Sequence, residues 1–403
     1  MILKKILSAT MAALMGLTLM SGCSDEGVSE AEKESAKEDV KSMSEITATE
    51  IATEMKIGWN VGNSLDAMGA DMGSETCWGN PKITEDLIKA AKNAGFNTIR
   101  VPVTWMGHFD ESNYTIREDW MNRVDEVVNY VLNNDMYCII NIHHDGSDTT
   151  SSWLTPEPAN ADEMVNCFTT LWTQIAKKFE NYDEKLLFAG MNEFHRGYDQ
   201  PKDEYLALTD RLNQAFVDTV RNGGGNNKDR ILIVQSYNTN ADYLINNLVL
   251  PNDTAENKLM VECHYYDPWT FAGEGRNSWG VGGRTNDRWG QEDWVDDKFS
   301  QLKAKFVDNG IPVIIGEYGA TINKAGYSDT RRYYVEYVTR AAHKNGIVPI
   351  WWDNGYDGLD GEAFALFDRN NGNAVLHQDI IDAMKRATSG EDYEITLPVY
   401  PTA

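Results

Sequence analysis

Residues 186–193, LLFAGMNE, decide the fold, because an unbroken apolar run of strand length ends abruptly in an amide and a carboxylate. Such a run, without polar alternation, is typical of a strand that is buried on both faces of a parallel sheet. A charged side chain at the end of a buried strand is costly unless it is paired or used. The stretch therefore predicts a parallel-sheet protein with a functional carboxylate, Glu193, at a strand end.

Seven further apolar runs of strand length follow the same pattern and recur at intervals of about 40 residues. The predicted strands are KIGWNVG (56–62), NTIRVPV (97–103), YCIINIHH (137–144), LLFAGMNE (186–193), ILIVQSY (231–237), LMVECHYY (259–266), PVIIGEYG (312–319) and IVPIWWDN (347–354). Helical patterns with capping residues lie between most of them. These are 84–95, 118–134, 161–180, 203–222, 292–310 and 329–346.

Strands that alternate with helices indicate βαβ units, and eight such units predict an α/β fold of the (β/α)8 TIM barrel type. A doubly wound open sheet is the alternative, but no GxGxxG loop follows the first strand. In such barrels the active site lies at the carboxyl ends of the strands. The side chains that barrel closure would gather there are Asn60, Asn63, Arg100, His143, His144, Asn192, Glu193, His264, Tyr266, Glu317 and Trp352.

Glu193 and Glu317 end the fourth and seventh predicted strands, which face one another across a barrel mouth. Glycoside hydrolysis needs one carboxyl group to protonate the leaving oxygen and another to attack or to activate water. A separation of roughly 5 Å would indicate a retaining mechanism with a covalent intermediate. The alternative is that each Glu only forms an ion pair with Arg or His at the mouth.

Eight ordered segments between about residues 50 and 387 resemble glycoside hydrolase family 5, the cellulase family with catalytic Glu residues on strands four and seven. ETCWGNP and WWDNG resemble its subfamily 4 in particular. The resemblance implies a retaining endo-β-1,4-glucanase without a cofactor. The segments are GWNVGNSLDA (58–67), ETCWGNPKIT (75–84), IRVPVTW (99–105), NIHHDG (141–146), GMNEF (190–194), CHYYDP (263–268), IIGEYGA (314–320) and IWWDNG (350–355).

The resemblance makes Glu193 the general acid/base and Glu317 the nucleophile. The apolar run before Glu193 favours its neutral form, as an acid requires. Arg100 and Tyr266 would hydrogen-bond Glu317 and keep it ionised, and His264 would support Glu193.

The remaining residues at the strand ends are expected to bind the substrate. Asn192 would hold the 2-hydroxyl of the sugar in subsite −1. His143 would meet that ring or its neighbours, and Trp352 would give it an apolar platform. Asn63 and Asp66 are expected to contact the outer sugars.

The chain departs from the family pattern at two places. Many relatives have Pro after the acid/base Glu, where this chain has Phe194 and His195. Many have Glu after the paired His, where this chain has Asp145 and Gly146. Neither departure touches the catalytic pair, so both are expected to affect the loops that select the leaving-group sugar.

His143 and His144 could instead bind a metal ion. Adjacent residues of a regular strand point to opposite sides, so both would not face one ion. We therefore predict no catalytic metal and no cofactor, and leave a structural Ca²⁺ open.

Residues 267–290 form a long segment, rich in Gly and Trp, that predicts an active-site loop. Its aromatic side chains, and two on other loops, could stack on sugar rings or pack the loops onto the barrel. The candidates are Trp78, Trp153, Trp269, Trp279 and Trp289.

The chain has 403 residues and a net charge of −26, which excludes nucleic acid as a natural partner and suits a neutral polysaccharide. Cellulose-like, mixed-linkage and xyloglucan chains are the expected substrates, and β-mannan is the alternative. A non-catalytic polysaccharide-binding lipoprotein is the third reading. A monomer is expected.

The first 23 residues predict an export signal, with Lys4 and Lys5 before the apolar run 6–19. Residues 20–23, MSGC, resemble a bacterial lipoprotein cleavage box. This resemblance predicts lipidation of Cys23 and a membrane anchor at the cell surface. An ordinary signal peptide is the alternative. Residues 24–49 predict a flexible acidic tether, 50–390 one catalytic domain and 391–403 a tail. The other cysteines show no metal-ligand spacing and are expected to be buried free thiols, with a disulfide as the open alternative: Cys77, Cys138, Cys167 and Cys263.

Overall fold

The computed structural model describes residues 41–69, 74–146, 152–275, 278–280, 289–321, 328–359 and 361–399. The export signal, Cys23 and residues 24–40 of the predicted tether lie outside these ranges. No helix in the described ranges combines the length and the apolar character that crossing a membrane requires.

Eight parallel strands close into a barrel, which confirms the predicted TIM barrel. The order of neighbours around the ring is β1-β8-β7-β6-β5-β4-β3-β2. Every strand begins within the segment predicted for it. The strands are β1 Gly58–Asn60, β2 Thr98–Val101, β3 Tyr137–Ile140, β4 Leu186–Ala189, β5 Leu232–Asn240, β6 Leu259–Tyr265, β7 Val313–Tyr318 and β8 Ile347–Trp351.

Ten helices lie in the described part of the chain, and six of them coincide with the predicted segments. Two short antiparallel strand pairs lie in the loops. One joins 109–110 with 115–116, and the other joins 367–368 with 374–375. The helices are α1 Ala48–Met55, α2 Glu85–Ala94, α3 Glu118–Leu132, α4 Ala161–Lys178, α5 Asp203–Arg221, α6 Ala241–Asn246, α7 Trp269–Ala272, α8 Glu292–Lys305, α9 Ser328–Lys344 and α10 Gln378–Ala387.

Residues 41–49 are not a free tether, and this boundary of the prediction is wrong. Thr47 caps α1 in a reciprocal capping box with Glu50. Ile51 and Met55 are buried in a small core cluster with inward-facing residues of the barrel strands. The Lys258 ammonium donates hydrogen bonds to backbone carbonyls just before α1. The folded domain therefore starts about nine residues earlier than the composition of the segment suggested.

The segment after α10 also contacts the domain instead of hanging free as a tail. Arg340 donates a 2.6 Å hydrogen bond to the carbonyl of Tyr393, and its guanidinium lies 4.6 Å from the centre of that ring. Arg332 donates to the carbonyl of Thr396 at 2.7 Å. Residues 391–399 thus pack along α9.

Candidate active site

Glu193 stands in the loop that leaves β4, in a backbone conformation that side chains rarely adopt. Its φ is 41°, and such strained positions cluster at functional sites. Gln235 of β5 fixes the turn, since its side chain accepts a hydrogen bond from the Met191 N–H and donates one to the Met191 carbonyl. The carboxylate keeps 37% of its side-chain surface exposed and can meet a ligand.

Glu317 lies near the end of β7 and is almost fully buried. Arg100 donates to its Oε1 at 2.9 Å, and the Tyr266 hydroxyl donates to Oε2 at 3.3 Å. Both contacts agree with the expectation from the resemblance. They hold the carboxylate in one orientation beside Glu193.

The two carboxylates are close enough for a retaining mechanism. Oxygen atoms of Glu193 and Glu317 and a ring nitrogen of His264 all lie within 4.8 Å of one another. Retaining glycosidases have carboxyl groups roughly 5–5.5 Å apart, whereas inverting enzymes leave roughly 6.5–9.5 Å for a water molecule. The geometry fits direct attack by one carboxylate.

His264 bridges the pair. Its Nδ1 lies 2.7 Å from Oε1 of Glu193 and 3.6 Å from Oε2 of Glu317. Burial lowers the pKa of His264, but the charges of Glu317 and Glu193 outweigh this and raise it to about 9. The imidazole is therefore a cation at neutral pH and holds a proton next to Glu193.

The pKa directions of the two carboxyls are the reverse of those expected from sequence. Burial favours the neutral form of Glu193, but the hydrogen bond and charge of His264 outweigh it, so the pKa of Glu193 lies below its ordinary value. Burial raises the pKa of Glu317; His264 and Arg100 oppose this, while Glu193 adds to it. For Glu193 the prediction weighed the apolar residues but not the charge of His264, and for Glu317 it weighed Arg100 and Tyr266 but not burial.

Arg100 is the centre of a buried polar network below the two carboxylates. Besides Glu317, its Nη1 donates to Oδ1 of Asn60 at 3.0 Å. Its Nη2 donates to Oδ1 of Asn192 at 2.7 Å and lies 3.0 Å from Oε1 of Glu262. The amide oxygen of Asn192 is thus engaged, which leaves its NH₂ group as the donor available to a ligand.

Sequence analysis missed Glu262, which is fully buried in β6. Its carboxylate accepts a 2.7 Å hydrogen bond from Gln235 and pairs with Arg100. Glu262 lies in the middle of an apolar run, whereas the site residues were predicted from polar side chains at the ends of such runs. A charged residue inside a buried strand is itself a signal, because such a charge must be paired.

His143 and His144 do not alternate across a strand, because β3 ends at Ile140 and His144 begins a 3₁₀ turn. Their ring centroids are 4.4 Å apart, and one nitrogen of each lies within 4.8 Å of an Asp66 oxygen. The geometric argument against shared coordination is therefore wrong. The absence of a catalytic metal stays a prediction.

Asp66 is fully buried and supports the loop after β1 instead of facing outer sugars. Its carboxylate accepts hydrogen bonds from the backbone N–H groups of Asn63 at 3.0 Å and Ser64 at 2.8 Å, and Nε2 of His144 lies 3.5 Å away. Asn63 lines a surface pocket with Trp78 and Tyr356, and its contact with an outer sugar stays a prediction.

His143 and Trp352 form a wall beside Glu317. Their rings are stacked, with centroids 5.8 Å apart and planes at 4°. Nε2 of His143 lies 3.9 Å from Oε1 of Glu317. Burial lowers the pKa of His143 well below its ordinary value, and the positive charges around it add to this, so the ring is neutral.

Four of the five aromatic candidates divide into two groups, and the fifth, Trp153, is half-buried against Phe109. Trp78, Trp269 and Trp289 are 41–44% exposed, as sugar-stacking residues must be. Trp279 is fully buried among tyrosines of α9 and donates to the Gly290 carbonyl at 2.6 Å, so it packs its loop and does not bind sugar. Residues 276–277 and 281–288 of the predicted loop lie outside the described ranges.

Cys138, Cys167 and Cys263 are free thiols, as predicted. Burial raises the pKa of the Cys138 and Cys263 thiols far above the ordinary range. These two are inert core residues.

Comparisons with known proteins agree with this geometry. Residues 65–358 match the family described as Cellulase (glycosyl hydrolase family 5). Endoglucanase A of Paenibacillus barcinonensis is 40% identical over 373 residues, which cover 87% of this chain and 92% of the relative.

Two solved structures share the fold. The family 5 xyloglucanase from Paenibacillus pabuli is 41% identical, with a TM-score of 0.80, and the match covers 84% of this chain and 99% of that one. The GH5-4 broad-specificity endoglucanase from Bacteroides salanitronis is 38% identical, with a TM-score of 0.82, and the match covers 89% of this chain and 100% of that one.

Proposed function

The chain belongs to glycosyl hydrolase family 5, and from this premise we propose that it is a retaining endo-β-1,4-glucanase in which Glu193 is the general acid/base and Glu317 the nucleophile. The observation that carries the assignment is the pair of carboxylates within 4.8 Å of one another, bridged by His264. Two clusters of at least three His and acidic side chains are found in the described residues, and of these only this one contains two carboxylates.

In the first step an oxygen of Glu317 attacks the anomeric carbon, and Glu193 protonates the departing glycosidic oxygen. His264 supplies that proton to Glu193 through the hydrogen bond that joins them, and takes it back from Glu193 after the second step. In the second step Glu193 removes a proton from water, the water attacks the anomeric carbon, and Glu317 leaves as a carboxylate. The NH₂ group of Asn192 donates to the 2-hydroxyl, and this contact strengthens in the transition state.

The substrate class follows from the cleft and from the relatives. Exposed Trp78, Trp269 and Trp289 around the mouth suit a neutral chain of flat sugar rings. The relatives act, by their names, as an endoglucanase, a xyloglucanase and a broad-specificity endoglucanase. The substrates are therefore cellulose-like, mixed-linkage and xyloglucan chains, which the enzyme cuts at internal bonds. The proposal also includes that the enzyme acts as a monomer.

A panel of carboxymethylcellulose, mixed-linkage glucan, xyloglucan and glucomannan tests this function, with product sizes determined by chromatography. The expected result is rapid release of oligosaccharides of several sizes from the glucans. Release of single glucose units alone would contradict internal cleavage. Faster hydrolysis of unsubstituted β-mannan would reassign the substrate, and binding without any products would exclude catalysis.

The pH profile of kcat/KM is expected to be bell-shaped, because it follows the free enzyme's ionisable groups. On the acid side activity falls as Glu317 is protonated, at a pH above the ordinary Glu value of roughly 4.3, because its pKa is raised. On the alkaline side activity falls near pH 9 as His264 loses its proton. The profile of His264→Gln should lack this fall in activity near pH 9. An unchanged fall in that variant would contradict the role of His264 as the source of the proton for Glu193.

The proposal includes export and a lipid anchor at Cys23. The described chain begins at Lys41 and enters through α1, whose residues pack into the amino-terminal end of the barrel, opposite the catalytic mouth.

Cys23→Ala is expected to move the enzyme from the membrane fraction to the soluble fraction in a bacterial host that processes lipoproteins. The reason is that the Cys carries the lipid in such a signal. Detergent-phase partitioning of intact enzyme and variant measures the change, with Ser24→Ala as the neighbouring control. A membrane-bound Cys23→Ala enzyme would contradict lipidation at this residue.

A further inference from the structure

Glu262 is a third buried carboxylate beside the catalytic pair, and the mechanism above gives it no role. It stands two residues before His264 in β6, so both side chains point to the same face of the strand. That face is the inside of the barrel, because Glu262 lies 3.0 Å from Arg100 of β2, on the opposite side of the ring. Glu262 therefore lies one layer below His264, away from the mouth.

His264 is held between two carboxylates, one at each ring nitrogen. Its Nδ1 lies 2.7 Å from Oε1 of Glu193, and its Nε2 lies 3.5 Å from Oε1 of Glu262. A negative charge at each nitrogen favours the doubly protonated, cationic ring. Because Glu262 and His264 are both buried, solvent screens their interaction little.

The position of Glu262 is fixed through its other oxygen. Its Oε2 accepts a 2.7 Å hydrogen bond from Nε2 of Gln235. Gln235 also exchanges two hydrogen bonds with the backbone of Met191, in the turn that carries Glu193. Glu262 therefore keeps one orientation towards His264 and is tied to the turn that holds the general acid/base.

The contact at Nε2 decides which proton His264 gives. A cationic imidazole has a proton on each nitrogen, and the one on Nδ1 faces Glu193. The carboxylate of Glu262 attracts the other proton and keeps it on Nε2, as a buried carboxylate orients the His of a Ser-His-Asp triad. His264 can then change between the cation and its Nε2–H tautomer without turning.

The charge of Glu262 also influences the pH at which His264 loses its proton. Burial lowers the pKa of His264, and the charge of Glu317 is the largest influence in the opposite direction. Contacts with Glu193 and Glu262 add to that influence and bring the pKa to about 9. Of these three carboxylates, Glu262 is the one that is fully buried, so it can be changed without removing a group that touches the substrate.

We propose that Glu262 is a positioning residue for the reaction: its charge keeps His264 cationic and holds one proton on Nε2, so that Nδ1 delivers the other to Glu193. This inference rests on the proposed function, in which His264 supplies the proton of the general acid/base. It makes the proton donor of the reaction a buried chain of three side chains, Glu262, His264 and Glu193.

Other ionisable side chains interact electrostatically with His264, Glu193 or Glu317. They are the same in the enzyme and in a Glu262 variant, so a comparison of the two isolates the charge of Glu262. These side chains are Arg100, His143, His144, His195, Tyr266 and Glu362.

The test compares the pH profiles of kcat/KM of wild type and Glu262→Gln on soluble mixed-linkage glucan. Removing a negative charge destabilises the protonated form of nearby groups, so the pKa values of His264 and Glu317 should both fall. We therefore expect both the acid and the alkaline edge of the profile to move to lower pH, by about one pH unit or more. A loss of packing alone would lower the rate and leave both edges in place.

Two variants separate the charge of Glu262 from its packing. Glu262→Asp keeps the charge but withdraws it by one methylene, so both edges should move in the same direction by less than half as far. Glu336→Gln removes a buried carboxylate on α9 that pairs with Arg332 and Arg386, and its edges should coincide with those of wild type.

NMR of isotope-labelled histidine follows the same change without relying on activity. The resonances of His264 are identified by their loss in His264→Gln. Their titration midpoint in Glu262→Gln should lie about one pH unit or more below that of wild type.

An unchanged midpoint overturns the proposal, as do pH profiles whose edges stay in place. If Glu262→Gln does not fold, Glu262→Asp is measured against the same criterion. A wild-type enzyme without activity on any β-glucan would refute the proposed function instead, and the midpoint of His264 would still report the effect of Glu262, so the two failures are distinguishable.

Discussion

Glu317→Gln is expected to lower kcat/KM on β-glucan by about 10⁴-fold or more while the domain stays folded. The amide cannot form the glycosyl ester that the first step requires. It is nearly the same size as the carboxyl group, and it still accepts a hydrogen bond from Arg100, which lies 2.9 Å from Oε1 in the wild type. Reducing-sugar release and initial rates on the polymer measure the loss.

Glu336→Gln is the matched control for this change. Glu336 is also a buried Glu in an ion-pair network, with Arg332 at 2.7 Å and Arg386 at 3.0 Å, but it lies on α9, away from the barrel mouth. Its loss should lower stability and leave kcat/KM within about twofold. If Glu317→Gln retained near-normal turnover, the nucleophile would have to be another group and the mechanism would fail.

The barrel and the placement of Glu193 and Glu317 at its mouth were predictable because the information lies in short stretches. A buried parallel strand is a continuous apolar run, and its polar end marks the catalytic face, so β4 and β7 could be found without knowledge of their neighbours. The capping pattern and apolar periodicity of six helices are equally local.

Features that depend on contacts between distant elements were not predictable in this way. Residues 41–49 have the composition of a tether. They belong to the folded domain because they lead into α1, which buries Ile51 against the end of the barrel. The pKa of Glu193 depends on His264, which is 71 residues away in the chain. Asp66 looked like a polar contact to sugar because its burial, with Nε2 of His144 3.5 Å from its carboxylate, depends on a distant loop.

Gly316 is another residue whose role depends on a contact with a distant part of the chain. In the sequence it is only the residue before Glu317. In the structure a Cβ at this position would lie 1.7 Å from Oε1 of Glu262, the buried partner of Arg100. Since contacts below 3.0 Å essentially never occur for real Cβ atoms, either β7 or the Glu262 side chain must move.

Gly316→Ala is therefore expected to reduce kcat/KM by about 10²-fold or more and to lower the free energy of unfolding by about 1–3 kcal/mol. The activity falls because Glu262, Arg100 and Glu317 share one network, so a shift of about 1 Å misplaces the nucleophile. Denaturant unfolding and rates on the polymer separate the two effects. Gly69→Ala, whose Cβ would lie no nearer than 3.9 Å to any atom of the described residues, is the control and should change neither. A fully active Gly316→Ala enzyme would mean that the network below the catalytic pair tolerates displacement, and Glu262 would then have no positioning role.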